Sequence, residues 1–370
     1  MDFELSDEQE LLRGGLRELL DRECEARRVR AVAYDGDGRD AELWQALAGA
    51  GWTAVTVPEA DGGAGMRFED VIVVLEEAGR ALLPVPLTTT LLAARAIATA
   101  PESAARSDLL SRIVSGATNV TLALRGSHED FNGERPGCAA ERSDGGWRIS
   151  GAREFVPHGP LAGVVLVDAL HEHDGHGLFA VPTDAPGVSW TEIDVMDRTT
   201  RQYELALDGA LAETSLFGDE DASDAIDRLL DEWRAALSTE TLGAAQWLLE
   251  LTVSYAQERV QFGQPIGSFQ AVKARVAEMG GAVERMRAAV YHAAVKVDSD
   301  APDRALAIAM AKAATAEPGA WVASQAIHVH GGVGYTWEHD VQMYFKRVKS
   351  NELLLGDTSA SLARVADAVL

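Results

Sequence analysis

Between residues 118 and 216 the apolar residues of this chain stop recurring at helical spacing and come in short β-rich runs; beyond residue 218 the helical spacing returns. Two such changes exclude a single bundle and a single sheet, because repeats of 3.6 and of 2 residues turn side chains toward different partners. The runs Val120–Leu124, Trp147–Ile149, Val164–Val167, Leu178–Val181 and Tyr203–Leu207 alternate with Gly, Pro, Asp and Asn, the pattern of a small antiparallel β unit. Before them, residues 5 to about 117 read as helical. Ser6 and Gln9 have capping-box spacing, and Leu11, Leu12, Leu16, Leu19 and Leu20 follow on one face. Ala41–Ala50 fits a helix ended by Gly51, the glycine-rich stretch 57–65 is a loop, and Phe68–Leu82 is amphipathic up to Pro84 and Pro86. After an acidic connector at 218–223, helices are expected over Ala225–Glu258, Ser268–Asp298, Arg304–His328, and around 337–349 and 358–369. Pro318 predicts a kink or short break in the third of these, since it lacks a donor and clashes with the preceding turn. The expected fold is mainly α with a central β domain. Its parts are an N-terminal helical domain (1–117), a middle β domain (118–218) and a C-terminal helical bundle (219–370).

With 370 residues, 47% apolar and 25% charged, the chain has material for two or three packed units. The net charge of −25 argues against nucleic acid or an anionic membrane as partner, both being polyanions. It leaves room for an anionic small ligand held by a few local Arg residues. No apolar run is long enough to span a bilayer, and the acidic N-terminus shows no secretory core, so a cytoplasmic location is expected. Cys24 and Cys138 have no metal-type spacing and read as reduced thiols. The DGDG at 35–38 reads as a plain turn.

Two segments carry chemistry. In Tyr255-Ala-Gln-Glu-Arg-Val-Gln-Phe-Gly-Gln-Pro-Ile-Gly-Ser-Phe-Gln-Ala-Val272 a helix ends at Arg259, the chain turns at Gly263-Gln-Pro, and a new helix starts at Ser268. Arg259 offers a planar, permanently charged fork suited to a pyrophosphate, and Phe262 a flat face for packing a ring. Alone, such an Arg is more often a solvated helix cap. In Gln325-Ala-Ile-His-Val-His-Gly-Gly-Val-Gly-Tyr-Thr-Trp-Glu-His-Asp340 a helix stops at Gly331-Gly332, where backbone N–H groups can approach a ligand. His328 and His330 have no third ligand at suitable spacing, so no metal is expected.

Together these segments resemble the flavin-dependent acyl-CoA dehydrogenases, whose text is close to YxxxRxQFGxPIGxFQ and QxHGGxGYTxExD. The likeness extends through Phe3-x-Leu-x-x-Glu-Gln, the loop Val57-Pro-Glu-Ala-Asp-Gly-Gly-Ala-Gly65 and Glu76-Glu-Ala-Gly-Arg80, and so covers essentially the whole chain. The resemblance implies a helical domain, a small β domain and a four-helix bundle. It also implies FAD shared between subunits, an acyl-CoA substrate, a homo- or heterotetramer, and electron-transfer flavoprotein or a similar acceptor. By the same resemblance Arg259, Gln261, Phe262, His328, Val329, Gly331 and Gly332 would reach a neighbour's FAD. Many members carry Gln where this chain has His328. Asp231 and Arg234 match a pair that meets the pantetheine and thioester end of acyl-CoA.

The family removes an α-proton with a carboxylate in an apolar pocket. Of the two positions familiar for it, one holds Leu355 here, before Gly356, and the other Trp233, before Arg234. Glu240 is a substitute candidate: seven residues beyond Trp233 it faces the same side of the helix, about 10 Å away. A carboxylate in that position is more often a pocket-floor or interface residue. The middle domain departs as well. The usual flavin-binding segment reads Ala123-Leu-Arg-Gly-Ser-His-Glu-Asp130, with Arg125 in place of a small Thr, and W-I-T-N-G becomes Phe155-Val-Pro-His-Gly159, where Pro157 replaces a hydroxyl donor. The half of the flavin site that the chain would use itself is thus altered, while the half it would lend is mostly retained. This favours a half-site subunit of an α2β2 acyl-CoA dehydrogenase; family pairs of that kind often act on bulky substrates such as sterol side chains. Three alternatives stay open: a self-sufficient homotetramer using Glu240, a non-redox scaffold or CoA-binding module, and a flavin monooxygenase-like relative.

Overall fold

A computed structural model of the chain describes residues 5–124, 137–143, 145–171 and 175–370. Phe3, and the altered middle-domain segment from Arg125 onward, lie outside the described residues. The helices are α1 (Asp7–Glu23), α2 (Ala26–Arg30), α3 (Ala41–Gly49), α4 (Phe68–Arg80), α5 (Leu87–Thr99) and α6 (Ala104–Val114) before the strands. After them come α7 (Ser223–Glu258), α8 (Gln270–Asp298), α9 (Arg304–His330), α10 (Val341–Leu353) and α11 (Thr358–Val369). The capping box closes α1 as expected: the Gln9 amide donates to the Ser6 hydroxyl, and the Ser6 amide to the Gln9 side chain. By compactness the described chain forms two units. One comprises Met1–Val29, Phe68–Leu83 and Arg234–Leu370, the other Arg30–Arg67 and Pro84–Trp233.

The first unit is helical. α9 is buried on most of its circumference, as an Ala-rich helix can be when neighbours pack on several sides, and it contacts α8, α10 and α11. The break expected at Pro318 does not occur, for α9 runs unbroken to His330. The proline forfeits one bond, to the carbonyl of Ala314 at a half-exposed position, and the packed neighbours carry the helix through. α4 and α7 touch through their backbones. A Cβ on Gly243 would lie 1.9 Å from the Glu76 carbonyl, and one on Gly79 2.1 Å from the Glu240 carbonyl. This close approach sets Glu76 and Glu77 inside the unit, where ion pairing meets the cost of burying them. Glu76 accepts from Arg287 at 2.7 Å and from the Tyr291 hydroxyl at 3.0 Å; Glu77 accepts from Arg17 at 2.8 Å.

The second unit holds α3, α5, α6 and a sheet. Its strands are β1 (Val120–Ala123), β2 (Ala139–Ser143), β3 (Gly146–Pro157), β4 (Val164–His171), β5 (His176–Pro182), β6 (Val188–Ile193), β7 (Gln202–Leu211) and β8 (Thr214–Ser215). The order is β6-β7-β3-β2-β4-β5-β8, and β1 shares with β2 the edge of β4 that β5 leaves open. Pairing is antiparallel except where β1 and β2 run parallel to β4. One face is packed by Ile149, Val165, Val167, Phe179, Val181 and Leu205. β4 is buried on nearly every residue, so its apolar residues run on without alternating. No described helix is long and apolar enough to cross a membrane.

Candidate active site

α7 ends at Glu258, and the chain folds straight back as a two-stranded hairpin, β9 (Val260–Gln261) and β10 (Gln264–Pro265). A two-residue connection of type I′ between twisted strands takes positive φ at both positions. Phe262 and Gly263 supply it, at 51° and 80°. Glycine adopts this conformation freely, whereas phenylalanine does so only at a cost of the order of 1 kcal/mol. The Phe262 ring is nevertheless 92% exposed, touching the Phe269 ring edge-on at 6.0 Å. Arg259 and Gln261 are exposed beside it. The Ile266 amide donates to the Arg259 carbonyl at 2.7 Å, and Gly267 lies against the Ala256 carbonyl, so the hairpin is pinned to the last turn of α7.

The second segment ends α9. Gly331 takes φ 63° and ψ −140°, and its amide bonds back to His328 and Ile327. A Cβ on Gly331 or Gly332 would meet nothing within 4 Å, so backbone faces open space there. His328, Val333, Tyr335 and Trp337 are exposed, and Val329 is half-buried. The two segments meet through Tyr255 and His330, whose rings stack at 4.3 Å and 25°. Tyr255, four residues before Arg259, and His330, directly before Gly331, thereby bring the two segments together.

The other expected residues lie elsewhere. Arg234 and Glu258 stand roughly 36 Å apart along α7. Arg234 is buried, and its Nε donates to the Leu355 carbonyl at 3.4 Å; Asp231 is half-buried on the same helix. Trp233 and Leu355, at the two positions familiar for the base, are both 1% exposed, and Leu355 takes φ 61°. Glu240 is buried against α10. The Arg347 guanidinium lies 3.6 Å from its carboxylate, the Asn351 amide donates to it at 3.4 Å, and Arg347 also donates to the Leu83 carbonyl.

The Lys312 ammonium, on α9, was not anticipated from the sequence. It is 2% exposed and donates to the Asn351 and Glu352 carbonyls, two of the four at the end of α10 that lack an intrahelical donor. Burial, with the Arg234 charge beside it, pushes its pKa down to about 7. The one available signal was a lysine inside the alanine-rich run 307–316.

In the second unit Pro157 ends β3 opposite Gln202, and its carbonyl accepts from the Thr121 hydroxyl. Phe155 and His158 both take positive φ, and both Val156 and His158 are buried. Among the described residues no cluster of three His, Cys, Asp or Glu side chains could hold a metal ion.

Glu240→Gln keeps the shape and an acceptor but removes the carboxylate charge that faces Arg347. A loss of about 1–3 kcal/mol of stability is expected, less than for deleting the partner outright. Unchanged urea midpoints at pH 7 would show that the pair is not what Glu240 is there for.

Residues 6–117 match the N-terminal domain of acyl-CoA dehydrogenases, and residues 223–370 match their C-terminal domain. A relative from Mycolicibacterium smegmatis, "Acyl-CoA dehydrogenase IpdE2", is 33% identical over 98% of both chains. The chain belongs to the acyl-CoA dehydrogenase family. Among solved structures, a chain of the Tcur3481-Tcur3483 steroid ACAD superposes with TM-score 0.88 at 37% identity, covering 98% of each chain. A chain of the ChsE4-ChsE5 complex from Mycobacterium tuberculosis gives TM-score 0.90 at 31% identity, covering 100% of this chain and 99% of that one.

Proposed function

We propose that this chain is the half-site subunit of a heteromeric, α2β2 acyl-CoA dehydrogenase that introduces a double bond between the α- and β-carbons of an acyl-CoA thioester. The observation that carries the heteromeric reading is that Trp233 and Leu355, both buried and neither able to take a proton, stand at the two positions familiar for the base; the distance along α7 supports a site shared between subunits. Arg234, by resemblance a substrate contact, and the Arg259 hairpin are too far apart to serve one site within one chain. The exposed, strained Phe262 and the open backbone at Gly263, Gly331 and Gly332 fit a ligand held mainly by another subunit. In this reading Arg259 and Gln261 bind the phosphate side of a neighbour's FAD, Phe262 packs against it, and His328, Val329, Gly331 and Gly332 border it. When bound, FAD supplies the hydride acceptor. Asp231 and Arg234 line the substrate side, and Glu240, engaged by Arg347 and Asn351, supports the pocket floor.

The buried Trp233 and Leu355 argue that the proton-accepting carboxylate comes from a partner, which would also complete the flavin pocket. Similarity to the Tcur3481-Tcur3483 steroid ACAD and to the ChsE4-ChsE5 complex supports a heteromer, and the first supports a bulky acyl chain. The test is the colour of the protein. Purified alone, the chain should lack the visible absorbance of flavin. Co-expressed with a complementary family member that carries the carboxylate, it should co-purify as a yellow complex that oxidises acyl-CoA. Arg259→Ala should lower flavin retention in that complex by about tenfold or more, the worth of a charge-assisted phosphate contact. One bound flavin per chain in protein purified alone overturns the reading.

A further inference from the structure

The residues proposed to face a flavin sit on two short turns far apart in sequence. What joins them is a run of three rings. Tyr255 lies in the last turn of α7, four residues before Arg259; His330 ends α9, directly before Gly331; His339 lies in the turn that leads into α10. The Tyr255 and His330 rings are stacked at 4.3 Å, and the His339 ring lies 4.8 Å beyond His330, tilted by 59°. The Tyr255 hydroxyl donates to the His330 carbonyl at 3.4 Å. His330 Nδ1 lies 2.8 Å from the Ala326 carbonyl, which requires a proton on that nitrogen and fixes the ring plane. His339 Nδ1 in turn accepts from the Val341 amide at 3.4 Å.

Each ring is thus held to its own segment by a hydrogen bond or a helical turn, and to the next segment by ring contact. Aromatic pairs at these separations are attractive and orientation-dependent, so they fix relative position more narrowly than aliphatic contact does. We propose that Tyr255, His330 and His339 form a positioning joint that sets the spacing between the Arg259–Phe262 hairpin and the Gly331-Gly332 turn. Its consequence for a bound flavin rests on the half-site reading above; its existence does not. The joint works with His330 neutral. Burial and the neighbouring His339 hold the His330 pKa below the ordinary imidazole value, against the pull of the Ala326 carbonyl.

The joint can be tested on the full chain without flavin, by hydrogen exchange at amides the substitution does not touch. Tyr255→Leu, on α7, should speed exchange at least tenfold at Gly331 and Thr336, whose amides are bonded at the end of α9 and to the Val333 carbonyl. Reciprocally, His330→Leu should speed exchange at the Ile266 amide, bonded to Arg259. Tyr255→Phe and His330→Phe, which keep a ring, should restore rates near wild type and are the informative pair where an aliphatic variant folds poorly. Effects confined to the substituted segment, or equal effects of Leu and Phe, overturn the joint. In the flavin-loaded complex the Leu variants should weaken flavin retention at least tenfold while the Phe variants retain it. Absence of any effect across the segments condemns the joint; a wild-type complex that never binds flavin condemns the half-site reading instead.

Discussion

Gly243→Ala is expected to destabilise the helical unit by about 3 kcal/mol, the upper range for overpacking by one methyl group. The added Cβ would sit 1.9 Å from the Glu76 carbonyl and 2.9 Å from the Arg80 nitrogen, and both are backbone atoms that cannot swing aside. Relief requires α4 and α7 to separate by more than an ångström. That would loosen the pairs Glu76 makes with Arg287 and Tyr291, leaving a carboxylate poorly compensated inside the unit. Gly79→Ala should act in the same direction, its Cβ lying 2.1 Å from the Glu240 carbonyl. Gly14→Ala is the control. Gly14 is an exposed position inside α1 with nothing within 4 Å of its missing Cβ, so alanine there should stabilise by about 0.5–1 kcal/mol through helix propensity alone. Urea midpoints that move the same way for Gly243→Ala and Gly14→Ala would show that the helices do not meet through their backbones.

The second large effect is a pH dependence belonging to Lys312. In the folded chain its pKa is about 7, against 10.5 when unperturbed, because burial and the Arg234 charge disfavour the ammonium more than Glu352 and Asp357 favour it. Between these values the unfolded chain binds a proton that the folded chain largely does not. Stability from this residue therefore rises with pH across that window, by about 2 kcal/mol from pH 7 to pH 9. Other groups pull the opposite way at higher pH. The Cys138 thiol is pushed up to about 11, and the Tyr291 and Tyr344 phenols are also raised by burial, so each subtracts stability once its unfolded form ionises. The informative quantity is thus wild type minus Lys312→Met, in which those contributions cancel. The variant leaves two carbonyls at the end of α10 without their donor, which shifts its whole profile but not its slope. Parallel stability–pH profiles for the two proteins between pH 7 and 9 would falsify the assignment.

Both effects arise from contacts between residues distant in sequence, and that is where reading along the chain stops. The helices of the first and last thirds were legible, because one apolar face and a capping box are local properties, and Ser6 with Gln9 closes α1 as their spacing implies. The change of period located the strands, yet nothing local signalled that β1 and β2 run parallel to β4. Pro318 is a helix breaker in isolation, but α9 passes through it because neighbouring helices hold both sides.

For the candidate site the division is similar. The residues Arg259, Phe262, Gly331 and Gly332 stand in motifs whose glycines and turn geometry are encoded within a few positions, so sequence alone marked both segments and the family. It also registered Trp233 and Leu355 where a carboxylate is usual, since identity at a position needs no coordinates. The occupant of the space beside Glu240 was a tertiary matter. Helical periodicity turned Glu240 to the side of Trp233, but the group it meets is Arg347, more than a hundred residues later. Tertiary structure likewise sent Lys312 to the end of α10 and stacked His330 on Tyr255. A side chain's chemistry is local, whereas its burial and its partner depend on which helices pack together, and that choice is made by the whole chain.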